Sequence, residues 1–74
     1  MSLSLAGCHS EPATPMEAVM SDNVTTKYSI DSYEALSTSN HVAYKEVTNY
    51  CHEHRNKPNC ENALLAEINL FNRD

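Results

Sequence analysis

Residues 41–71 read HVAYKEVTNYCHEHRNKPNCENALLAEINLF, and this stretch decides the fold. Its first half sets Ala43, Val47, Tyr50, Cys51 and His54 three and four residues apart, the spacing that stacks side chains on one face of an α-helix. A helix from about His41 to His54 is predicted. Arg55-Asn56-Lys57-Pro58-Asn59 ends it, because the residue before a proline is steered out of the helical region. The next helix starts near Asn59 or Cys60, with Asn59 as the predicted N-cap and Glu61 complementing the positive end of the helix dipole. Its buried face is expected to carry Cys60, Ala63, Leu64, Ile68 and Phe71, with Leu65 flanking. The pattern predicts an all-α fold, a small helical hairpin of two main antiparallel helices preceded by one or two short ones.

Cys51 falls in the last turn of the first main helix and Cys60 in the first turn of the second, both on predicted inward faces. A disulfide there would tie the hairpin at its turn. Closing so short a loop contributes about 2–3 kcal/mol in the chain-entropy model. A chain of 74 residues buries too small a fraction of its surface to forgo such help. The rival reading is a metal site, since Cys51-His52-Glu53-His54 and Cys60 offer thiolates and imidazoles. His52 and His54 are two apart on a helix and point to different sides, which leaves Cys51, His54 and Cys60 as the alternative ligand set and falls short of zinc's usual four. No Cys-x-x-Cys spacing supports a thiol oxidoreductase.

Working toward the N-terminus, Ser37-Thr38-Ser39-Asn40 is a polar run expected to break a brief helix that Ser29 or Ser32 caps and that includes Tyr33 and Leu36. Tyr28, Tyr33, Tyr44 and Tyr50 are expected to close the small core with their hydroxyls at its edge. Thr14-Pro15-Met16-Glu17 is a capping box with proline at the first helical position, predicting a short helix from Pro15 to about Ser21. Met16, Val19 and Met20 form its apolar face, so it is either a frayed segment or a docking element. Residues 9–28 otherwise have the polar composition of a tether, which makes 29–74 the expected small helical domain.

At the start, Leu5-Ala6-Gly7-Cys8 resembles a bacterial lipobox, in which small residues precede a cysteine that becomes lipidated. Residues 1–8 therefore read as the remnant of a lipoprotein signal, with Cys8 as the lipidation site. An anchor at Cys8 and a bridge between Cys51 and Cys60 together account for three cysteines. The expected location is the periplasmic face of a bacterial membrane. His9 follows the anchor where aspartate commonly signals inner-membrane retention, so the outer membrane is favoured.

A net charge of -5, from five basic and ten acidic residues, excludes a phosphate-binding surface and hence a nucleic-acid partner. No nucleophile turn or deep cleft is indicated, so the expectation is a binding protein with no catalytic residues, no cofactor and no small-molecule substrate.

Asn59-Cys60-Glu61-Asn62-Ala63, followed by Ala66-Glu67 and preceded by a helix ending in Cys51, a Tyr33-containing segment and the lipobox, resembles the conjugal entry-exclusion lipoproteins of the EexN type. The likeness covers roughly Tyr28 to Glu67 plus the anchor. It departs before the first main helix, where Ser37 to Asn40 stand in place of the family's His-Pro or Asn-Pro turn. The resemblance implies a protein that keeps its host cell from receiving a second copy of a conjugative element by engaging the incoming type IV secretion apparatus. Lys45, Glu46, His52, Arg55, Lys57 and Asn62, on the two main helices and their loop, are the expected partner-binding residues, with a solvated face as the plainer alternative. A structural lipoprotein of an envelope or secretion complex and a metal-binding periplasmic module are the competing functions.

Overall fold

The structure, a computed structural model, describes residues 14–73. The lipobox-like stretch Leu5–Cys8, with its expected lipidation site Cys8, and residues 9–13 of the expected tether lie outside the described residues. Four α-helices follow one another: α1 (Pro15–Met20), α2 (Ile30–Ser39), α3 (His41–Glu53) and α4 (Glu61–Phe71). Short 3-10 turns at Val24–Thr26 and Pro58–Cys60 complete the described chain, and among the described residues there is no strand.

The first three α-helices begin where the sequence supplies a side-chain partner for free backbone amides. Thr14 accepts from the Glu17 amide at 3.2 Å while the Glu17 carboxylate accepts from the Thr14 amide at 3.3 Å, so the predicted capping box is formed. Ser29 accepts from the Ser32 amide at 3.1 Å and starts α2. This helix runs to Ser39, through the polar stretch expected to break it. Ser37 is accommodated because its hydroxyl donates to the Glu34 carbonyl at 2.6 Å, within the helix. Asn40 then ends α2 and begins α3: its amide donates to the Leu36 carbonyl and its side chain accepts from the Ala43 amide.

The expected hairpin forms from α3 and α4, with Cys51 and Cys60 joined at an S–S distance of 2.09 Å and a Cα–Cα separation of 5.4 Å. Both cysteines are fully buried. The alternative set of Cys51, His54 and Cys60 as metal ligands loses its two thiolates to this bond. Helix α2 packs on both α3 and α4, and α1 packs on α3 and on the Pro58–Cys60 turn. The core is Val19, Tyr33, Val47, Cys51, Cys60, Ala63 and Ala66.

Three expectations about burial are settled, the second and third as corrections. First, of the two alternatives for α1, a frayed segment or a docking element, the docking element is the one observed: Ala18 and Val19 are fully buried. Second, the seam of α3 is rotated toward Tyr44, Val47, Thr48 and Cys51, while His54 is exposed and stacks on Tyr50 with ring centroids 4.0 Å apart. Thr48 tolerates burial because its hydroxyl donates to the Lys45 carbonyl. Third, α4 buries Ala63 and Ala66, whereas Leu65, Ile68 and Phe71, expected on or beside its inner face, are exposed.

The third correction has a physical origin in the disulfide. Cys60 is drawn against α3, and the residues above it on the same face of α4, three and six positions on, are Ala63 and Ala66. Small side chains there let α4 approach its neighbours closely, and Tyr33 from α2 fills the space between them. Tyr33 is fully buried, not placed with its hydroxyl at the rim, and that hydroxyl has no hydrogen-bond partner among the described residues. Burial pushes its pKa up to about 12, with the nearby Tyr28 adding to the rise.

Candidate functional site

The loop between α3 and α4 does two jobs, and the structure divides the six expected partner-binding residues between them. Lys57 donates to the Asp22 carboxylate at 2.9 Å, and this bond raises the Lys57 pKa. Asn62 donates to the Tyr28 carbonyl at 2.9 Å. Between them Asn59, fully buried, donates to the carbonyls of Ala18 at 2.9 Å and Asn23 at 3.1 Å. These four bonds, from three side chains, form a clasp that holds residues 14–28 onto the hairpin.

Asn59 is therefore not the N-cap of α4. It sits in the preceding 3-10 turn, and Cys60 takes the cap position without a side-chain cap bond. Of Asn59-Cys60-Glu61-Asn62-Ala63, Asn59 and Asn62 clasp the N-terminal segment, Cys60 closes the disulfide and Ala63 lies in the core. Glu61 alone of the five is exposed. In this chain the stretch that carries the family resemblance is a folding device.

Lys45, Glu46, His52 and Arg55 are exposed and remain available to a partner. His52 Nε2 lies 2.8 Å from the Glu67 carboxylate, joining α3 to α4 across the surface. Arg55 Nη2 reaches His52 Nδ1 at 3.4 Å. A guanidinium has only donors, so Nδ1 accepts and Nε2–H is left to donate to Glu67. The three side chains form a chain of contacts that orients the polar rim of the surface.

Beside this rim, His41, Tyr44 and Lys45 of α3 and Glu67, Leu70 and Phe71 of α4 line a shallow groove of about 340 Å³. Tyr44 forms its wall, almost fully buried, with its pKa raised by desolvation and by the Glu67 carboxylate. His41 and Tyr44 rings lie 5.8 Å apart. Phe71 stands at the edge with 82 % of its surface exposed. An apolar floor with a cationic and an anionic edge can hold a protein segment by burial and fix its direction by charge.

Phe71, Leu70 and Glu67 were not among the expected partner-binding residues. Their signal was present: Leu64, Leu65, Ile68, Leu70 and Phe71 are five large apolar residues in one eleven-residue helix, more than one buried face accommodates. Among the described residues no group of three or more His, Cys, Asp and Glu side chains is placed to hold a metal ion. Among them, too, no helix is long and apolar enough to cross a membrane. No family model, curated protein or solved structure matches this chain.

Proposed function

We propose that this protein is a non-enzymatic, lipid-anchored periplasmic binding module that blocks a component of a conjugative type IV secretion apparatus, so excluding entry of a second element. The single observation that carries the binding half of this reading is the groove between α3 and α4, with Phe71 at its edge and Lys45 and His41 on its rim. Solvent-facing aromatic surface of this kind is characteristic of protein recognition. The conjugation half rests on the resemblance of Asn59 to Ala63 and of the Leu5–Cys8 lipobox. The disulfide is consistent with an oxidising compartment, where such bonds persist.

In this reading Cys8 fixes the module to the membrane, and Lys45, Glu46, His52 and Arg55 present the selective polar rim. Mating into recipient cells tests it. Expression of the full-length protein is expected to lower transfer of the cognate element, and Lys45→Glu with Glu46→Lys is expected to restore transfer while leaving the protein folded and anchored. Unchanged transfer with the wild-type protein would reject entry exclusion in favour of a structural envelope lipoprotein.

A further inference from the structure

The outward side of α4 has a knob at one end and a hole at the other. Phe71 projects at the C-terminal end, 82 % exposed. At the N-terminal end Arg55, Pro58, Leu64 and Leu65 line a second shallow groove, of about 370 Å³, with Glu61 at its edge. Ile68 lies between them on the same side, 52 % exposed. No described segment of the chain covers this face.

We infer that the face pairs with a second copy of this chain, α4 against α4 in antiparallel fashion about a two-fold axis near Ile68. Two-fold pairing brings each copy's Phe71 to the other's groove and sets the two Ile68 side chains together. The eight residues from Leu64 to Phe71 span about 10 Å of helix, so a helix laid antiparallel reaches both ends at once. Arg55 borders the groove, and among the described residues its guanidinium hydrogen-bonds to His52 alone, which leaves its planar face open to the incoming ring.

Charge supports the antiparallel sense over the parallel one. Glu61 is exposed and has no ion-pair partner among the described residues. Arg73, at the opposite end, has its side chain 59 % exposed while it holds Glu34 at 3.0 Å. Antiparallel pairing sets Glu61 of one copy beside Arg73 of the other, twice. Parallel pairing would oppose Glu61 to Glu61 and Arg73 to Arg73. Such an interface is isologous and closes at two copies. Its contact area is that of one short helix face, well below that of a standard interface, so the dimer is weak and dependent on concentration.

Sedimentation equilibrium of the full chain over a range of concentrations tests this. A reversible dimer is expected to appear by about 1 mM. Phe71→Asp is expected to abolish it with an unchanged far-ultraviolet circular dichroism spectrum, since the side chain lies outside the core. Glu61→Arg and Arg73→Glu are each expected to weaken it about threefold, and the double variant to restore it. A wild-type protein that stays monomeric throughout, or a dimer that Phe71→Asp leaves intact, would overturn the proposal. These outcomes are independent of the mating test, which reads Lys45 and Glu46 on α3.

Discussion

Helix α1 is six residues long and lies in a stretch whose composition is that of a solvated tether, yet it places Ala18 and Val19 in the core. Helix α4 is the more apolar of the two and nearly twice as long, yet it buries only Ala63 and Ala66 and leaves Leu65, Ile68 and Phe71 exposed. The difference teaches that burial here follows the polar and covalent fastenings and not the apolar content of a segment. The clasp of Lys57, Asn59 and Asn62 pulls α1 in, and the disulfide turns α4 so that its small side chains face inward.

The sharpest way to break that contrast is at the clasp. Asn59→Asp puts a carboxylate against the carbonyls of Ala18 and Asn23 in a fully buried position, and should cost about 3 kcal/mol or more, read by urea denaturation at neutral pH. A loss below about 1 kcal/mol would mean that α1 is not held there. Next in size is the disulfide. Cys51→Ser with Cys60→Ser is expected to lower stability by about 2–3 kcal/mol, with the loss appearing in the same denaturation midpoint.

A smaller effect separates the cap of α1 from its docking. Thr14→Ala removes the acceptor for the Glu17 amide and is expected to cost about 1 kcal/mol, while Thr14→Ser is expected to keep most of it. Amide hydrogen exchange in residues 15–20 should rise in the alanine variant alone. The smallest change is expected on the outer face of α4. Phe71→Ser should shift stability by no more than about 0.5 kcal/mol, because an 82 % exposed ring contributes little to the core. A loss of about 2 kcal/mol would place Phe71 in the core after all and erase the contrast between the two helices.

Much of this organisation is legible in the sequence, and what is legible is local. The capping box at Thr14, the break before Pro58 and the Cys51–Cys60 bond each depend on residues close in the chain, where geometry follows from backbone rules. The rotation of α3 is not legible in this way. Ala43, Val47, Tyr50, Cys51 and His54 form one candidate stripe, whereas Tyr44, Val47, Thr48 and Cys51 form another offset by part of a turn. Periodicity alone does not choose between them, and α1 and α2 packed against the second stripe do. Among the expected partner-binding residues, Lys57 and Asn62 look like surface groups in sequence, because their acceptors, Asp22 and the Tyr28 carbonyl, lie more than thirty positions away.

The sequence by itself determined an all-α chain, the helix starts at Pro15 and His41 and a stapled hairpin, because capping, proline placement and short-loop closure act over a few residues. Only the tertiary structure decided that a segment resembling a tether belongs to the core, and that the most apolar helix turns its large side chains outward. The reason is that close packing is a property of several elements at once: Cys60, Ala63 and Ala66 can approach α3 and α2 only because Tyr33 fills what they leave, and Val19 is buried only because Asn59 satisfies the carbonyl beside it.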